Sequence, residues 1–566
     1  MKKRVVGIFL ALCLFVSVLA GCTPKTSSSD TTSTEGNSSV QASSEEAPAI
    51  DPAFLEENPA SKEKISVAVI FAENITGAKL DYLQERFGLD MDLISLNLAD
   101  WQTQVNTYVS AGDSPDVLWW DVNATTSNSY RAWCEQGAFK PIDKTWIAGR
   151  EELANKVAAN QSTFDAFEVN DQLYYWPCFV DYPTQTQNSN TNGVWVYRRD
   201  WAKAVGLWNE DDTYTIDEWI ELAKAVVAQD PGKNGAGKTI GFVTPTWGWP
   251  NNLALAYSDT PGIFGMGYYK DADGTYKWAP ATDQFKKALV KTQEIYKAGL
   301  ITKDNAAWKS QEAQDTFGAG MAFALSGCLY GTVSSYQTQL FKAGLIDQLD
   351  GDYCAPAIVT YNGNLYLSEA NPYWSGVTFS KDISDLAMNR FLNMTNYLCS
   401  DEGAILYFYG RLGKDYEWTA DKKLQCLWPL DDTTSEPDDY KAPDDWGTNM
   451  AFLMMVGGQH MDMQINLPSY AVKQTDADKN SLRDTELMNK VFEHKFILNK
   501  QDYELNFLST PSKDQFGDFS ADVTAKMADL IASSSNIEAD WDTYIKSMQG
   551  QVNLVLGEIN SALGSK

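Results

Sequence analysis

Along this chain the hydrophobic pattern changes period several times. Lys2, Lys3 and Arg4 precede an apolar run from Val5 to Cys22. The run is too short to span a membrane comfortably, which takes about 20 residues. A basic start, a short apolar core and small residues at its end mark an export signal over residues 1–22. Residues 23–60 are rich in Ser, Thr and Glu and include Gly36, Pro48 and Pro52. They bury too little apolar surface to fold and are predicted to form a flexible linker with an r.m.s. span of roughly 30–36 Å.

Beyond the linker, β-branched and α-helical patterns alternate. Ile65 to Phe71 reads as a strand, Gly77 to Phe87 as a helix and Leu93 to Leu96 as a second strand. A helix reaching Ser110 stops at Ala111-Gly112-Asp113, and Ser114 to Asp121 forms a strand that runs into Trp119 and Trp120. This rhythm predicts an α/β sheet. Ligands of such sheets sit beyond the carboxyl ends of strands, where Glu73, Asn74, Trp119, Trp120, Asp121 and Asn123 fall.

The same reading extends down the chain. Thr215-Ile-Asp-Glu218 is a capping box, with Tyr214 and Trp219 as its hydrophobic staple. Ile216, Trp219, Ile220, Ala223 and Val227 share one helical face, which makes Trp219 a core residue. Gly232 to Thr239 matches GxxxxGK[ST], but a helix precedes it and a strand follows, the reverse of a phosphate-binding loop. Trp247, Trp249 and Asn252 fall on the loop after that strand. Tyr268 to Trp278 reads as a hairpin turning at Asp273-Gly274, and a helix from about Thr282 ends at Gly299. Gly320 to Gly327 is a buried strand. Trp541, Ile545, Met548, Val552, Val555 and Ile559 mark one face of a final helix.

Composition narrows the chemistry. The 566 residues are 44% hydrophobic and carry a net charge of −30, which argues against a nucleic-acid partner. Eight cysteines lack CxxC spacing; with Cys13 in the signal and Cys22 at its end, six remain, either as pairs or as buried thiols. Only His460 and His494 occur, so no histidine metal site is expected, and no cofactor. Neither GxSxG nor HExxH is present, and Ser61-x-x-Lys64 lacks its companion motifs. No catalytic residue is assigned. The 19 Trp and 27 Tyr suit sugars, whose apolar ring faces pack on aromatics while their hydroxyls bond carboxylates and amides.

Two resemblances give these features a setting. Leu19-Ala20-Gly21-Cys22 resembles the lipobox of bacterial lipoproteins, which implies lipidation of Cys22, membrane tethering and an extracytoplasmic location. The alternative is an ordinary signal with a chance cysteine. SAGDSPDVLWWD, the segment from Gly193 to Leu207, residues 215–242 and the segment from Asp401 to Tyr416 resemble, in order, motifs of extracellular solute-binding proteins, family 1, of ABC transporters. The resemblance implies a hinged, two-lobe, periplasmic-binding-protein-like α/β fold (type II) with an interlobe cleft. It implies lobes made of 61–193 with 376–460 and of 194–375 with 461–566, with crossings near Val194–Arg198 and Gly376–Ser380. Tyr330, Tyr373 and Trp374 then join the expected ligand contacts, and Trp176 stands beside them. A calcium loop of some relatives is degenerate here, keeping Asp230 and Asn234 but too few oxygen ligands. The implied function is capture of a neutral oligosaccharide by a monomer and its delivery to permease subunits. An oligopeptide ligand and an anchored glycoside-processing enzyme are the alternatives.

Overall fold

The computed structural model describes residues 50–564, without 71, 73–76, 99, 124–125, 182–188, 191–193, 245–266, 304–307, 309, 370–371, 428–457, 461–468, 473–475 and 500–501. Cys22, Glu73, Asn74, Trp247, Trp249 and Asn252 lie outside the described residues. No helix among those described is long and apolar enough to cross a membrane.

Two mixed sheets organise the two lobes. The first has the strand order Gln459–His460, Tyr175–Asp181, Tyr373–Phe379, Val117–Trp120, Glu63–Ile70, Leu89–Leu96. Its last three strands are parallel, and Tyr373–Phe379 runs against them. The second has the order Ile240–Val243, Ala322–Ser326, Val194–Arg198, Cys354–Thr360, Thr213–Thr215. Val194–Arg198 is antiparallel to both its neighbours. Each sheet carries its own apolar core. A small sheet of Ser189–Asn190, Leu365–Glu369 and Phe496–Asn499 joins segments that lead from one lobe to the other.

The local signals form as their chemistry requires. Helix Trp101–Ala111 ends on Gly112 in the left-handed region at φ 68°, a conformation that a Cβ disfavours. The Thr215 hydroxyl accepts from the Glu218 N–H while the Glu218 carboxylate accepts from the Thr215 N–H at 2.8 Å, so the capping box is complete. Tyr214 and Trp219 meet at 5.3 Å, and Trp219 is buried in the second core. Trp541 is likewise structural, stacked on Phe285 at 5.5 Å.

The expected boundary before Val194 coincides with the start of a strand of the second sheet, whereas the one expected near Gly376 falls inside a strand of the first. Val194–Arg198 is the central strand of the second sheet, and Gly376 pairs with Trp120 inside the first. The second connection falls earlier, through Leu365–Glu369, so Tyr373–Phe379 belongs wholly to the first sheet. Glycine and aromatic signals locate strand ends, but pairing decides which sheet a strand joins. Ser469–Val472 also stays with the first lobe: the Val472 N–H donates to the Leu424 carbonyl at 2.9 Å.

Residues 50–60, expected as the end of the linker, pack on the first lobe instead. Asp51 caps a short turn at Pro52–Leu55, and the Phe54 ring stands edge-on to Trp146 at 5.7 Å. Buried Arg150 donates to the Phe54 carbonyl at 3.2 Å, and buried Arg390 donates to that of Ser61 at 2.9 Å. The Asn58 N–H donates to the Arg86 carbonyl at 2.6 Å. Residues from Ile50 onward are therefore a strap on the first lobe. Two arginines supply donors that the polar composition of the strap could not reveal.

Candidate functional site: the carboxyl end of the Val117–Trp120 strand

This strand places consecutive tryptophans on opposite faces of the first sheet. Trp119 packs with Trp101 at 5.9 Å and Trp374 at 5.7 Å. Trp120 is enclosed by Trp133, Tyr130, Phe139 and Tyr175 at 5.2–6.3 Å. Both are 1% exposed. Their indole N–H groups are satisfied across the sheet, Trp119 on Ser375 Oγ at 2.8 Å and Trp120 on Thr378 Oγ1 at 3.2 Å. The expectation that Trp120 faces a ligand is thus corrected: its ring faces are covered by the lobe core.

Just past the strand, Asp121 is partly buried. Asn123 Nδ2 donates to its Oδ2 at 2.6 Å. Burial pushes the Asp121 carboxyl up to about 7, against the opposing pull of the Asn123 bond. Thr126 closes the turn, donating from Oγ1 to the Asp121 carbonyl and accepting from the Asn123 N–H, both at 2.8 Å. Two tyrosines support the turn from below: Tyr175 donates to the Trp120 carbonyl at 2.9 Å, and Tyr373 to that of Val122 at 3.2 Å. Gly376 makes room for the first of these. A Cβ there would lie 2.3 Å from the Trp176 carbonyl oxygen and 2.5 Å from the Tyr175 ring.

Trp374 follows the linking strand Leu365–Glu369 and packs against the cores of both lobes. It is partly exposed, and its indole N–H is buried without a partner among the described residues. Trp119, also an expected ligand contact, is enclosed like Trp120, and that expectation is corrected too; Trp374 packs on its ring and keeps part of its own surface exposed, while the strand that carries Trp119 runs on into Asp121 and Asn123.

Other expected contacts go elsewhere. Trp176 is buried in the first core, 5.4 Å from Phe164. Tyr373 has a buried ring, and only its hydroxyl serves the turn. Tyr330 is buried in the second lobe, where its hydroxyl donates to Asn489 Oδ1 at 2.6 Å and its ring stacks on Phe492. The residues that sequence reasoning missed are Tyr175, Ser375, Thr378 and Thr126. Of these only Thr126, three positions from Asn123, carries a local turn signal.

In the 230–239 loop, Asp230 Oδ1 accepts from the Asn234 N–H at 3.0 Å and Oδ2 from the Gly235 N–H at 2.8 Å. Thr239 Oγ1 donates to it as well, and these bonds lower its pKa. Its oxygens close the loop, and among the described residues no cluster of three metal-ligating side chains occurs. Cys134, Cys354 and Cys426 are thiols, and burial pushes them up to about 12, which keeps them unreactive.

No protein-family model matches the chain. It is 24% identical to lipoprotein LipO of Bacillus subtilis over 333 residues, 57% of this chain and 56% of that one. It is also 24% identical to the polygalacturonan/rhamnogalacturonan-binding protein YtcQ of the same organism over 329 residues, with the same shares. The chain thus spans about half the length of the curated relatives it matches. Among solved structures, the Streptococcus pneumoniae ABC-transporter substrate-binding protein FusA in complex with kestose superposes with a TM-score of 0.60 at 15% identity, covering 89% of this chain and all of that one. An HMO-binding, ABC-transporter-associated solute-binding protein of Bifidobacterium longum infantis gives 0.60 at 16% identity, covering 89% and 99%. The motif resemblance and the architecture agree: this chain has the two-lobe α/β fold of the ABC-transporter solute-binding proteins.

Proposed function

We propose that the protein is the membrane-tethered, extracytoplasmic binding component of an ABC importer, and that it captures an oligosaccharide between its lobes and hands it intact to a permease. Trp374 carries the reading. It sits where the linking strand enters the first lobe, touches both cores, and keeps a buried indole N–H without a partner among the described residues, packed on Trp119, whose strand runs on into Asp121 and Asn123. Such a corner can stack a sugar ring and bond its hydroxyls. Ligand contact with both lobes favours the closed arrangement. The names of the relatives, a lipoprotein and sugar-binding proteins, support the tether through Cys22 and the ligand class. Trp247, Trp249, Asn252, Glu73 and Asn74 are proposed further contacts from their places in the sequence.

The test is titration of the full-length chain with a panel of neutral and acidic oligosaccharides, following tryptophan emission and melting temperature, with chromatography of the recovered glycan. A saturable shift with intact glycan supports capture. Cleaved product overturns it, as does a panel without response alongside a saturable response to oligopeptides.

A further inference from the structure

Between Asp502 and Thr510, Leu505 and Leu508 pack on the second lobe and Phe507 on the first. Leu505 is buried with Tyr276, Val555, Ile559 and Leu563, and Leu508 packs on the same cluster. Asp502 accepts from the Leu505 N–H and from the Tyr276 hydroxyl. Downstream, the Ser512 N–H donates to Glu558 at 2.8 Å, so both ends of the segment are pinned to the second lobe. Phe507 goes the other way. It is 7% exposed and lies in the core of the first lobe, its ring 5.5 Å from Phe167 and edge-on to it. One hydrogen bond spans the lobes nearby, from Asn128 Nδ2 to Asp514 Oδ1 at 2.9 Å.

Phe167 is the base of the turn described above. Its ring is 4.7 Å from Tyr175 and 5.1 Å from Tyr373. The hydroxyls of these tyrosines hold the Trp120 and Val122 carbonyls, on either side of Asp121. A continuous set of packed rings and two hydrogen bonds therefore runs from an arm of the second lobe to the Asp121 turn.

We propose that Phe507 is a positioning residue, which presses Phe167 against the two tyrosines that shape the Asp121 turn and so ties the turn to the arrangement of the lobes. When the second lobe moves away, Phe507 withdraws and the turn loses its support; the two events share one equilibrium. This goes beyond the capture of a ligand, and its test needs none, so its failure is distinct from failure of the oligosaccharide reading.

The experiment measures hydrogen exchange of the full-length chain in detergent, together with neutron scattering at the detergent match point. Phe507→Ala is expected to speed exchange at residues 118–123 about tenfold and to raise the radius of gyration, while Leu89–Leu96 in the same sheet keeps its protection. Phe507→Leu should restore most of that protection. Leu505→Ala, which loosens the arm's packing on the second lobe but leaves the Phe507 ring in place, should leave 118–123 protected. The proposal is overturned if Phe507→Ala leaves exchange at 118–123 within twofold of the parent. It is equally overturned if exchange rises evenly through the first lobe, or if Leu505→Ala matches Phe507→Ala at 118–123.

Discussion

The ring of Trp374 meets that of Trp119 at 5.7 Å, tilted by 59°, and the two differ in what surrounds them. Trp119 is enclosed and its N–H is bonded, whereas Trp374 is partly exposed with an N–H lacking a partner among the described residues. Trp374→Ala is therefore expected to weaken oligosaccharide binding at least tenfold with a modest change in stability. Trp120→Ala should instead cost about 3–5 kcal/mol of stability, since it empties an aromatic core. Calorimetric titration and denaturant unfolding of the two variants separate the roles; the reverse pattern would sink the assignment.

Asp121 predicts a pH effect of definite sign. Its folded carboxyl titrates near 7 because burial disfavours the charge, while the unfolded one titrates near the ordinary carboxylate value of about 3.9. Between these values the folded chain holds a proton that the unfolded chain has lost, so this group's contribution to stability falls as pH rises and levels off above about 7. Asp484, buried and pushed up to about 6, acts in the same sense. The melting temperature of Asp121→Asn, minus that of the parent, should increase from pH 4 to pH 7.5. A flat difference would refute this.

Gly376 predicts a steric failure. Its added Cβ would meet the Trp176 carbonyl and the Tyr175 ring inside contact distance. Gly376→Ala is expected to lose about 1–3 kcal/mol or more and to disturb the near-ultraviolet dichroism of the packed aromatics. An unchanged spectrum and melting temperature would show that the strands shift to admit a methyl group.

The strap gives a local prediction. Phe54→Ala removes its ring from Trp146 without touching the arginine bonds. Exchange and proteolysis should rise over residues 50–58 and stay unchanged in the second lobe. Arg150→Met should act more widely, because Arg150 also bonds Asn389 and Asn393. Burial pushes its guanidinium down to about 10, which still leaves it charged at neutral pH.

Cap residues and hydrophobic period were enough to locate several of the helices and strands, because those signals act within a few residues. Thr215 and Glu218 are three positions apart, and Gly112 ends its own helix. The alternation of strands and helices likewise implied an α/β fold, and the run from Val117 into Asp121 pointed to a strand end that carries the turn. Which tryptophan there is core and which stays open depended on partners the sequence keeps far apart. Ser375 lies 256 positions from Trp119 and Thr378 lies 258 from Trp120. The same holds for the lobe to which Tyr373–Phe379 belongs and for the docking of the strap. Period and capping are local energies of the backbone, whereas burial of a ring and satisfaction of its N–H are settled only when distant strands pair.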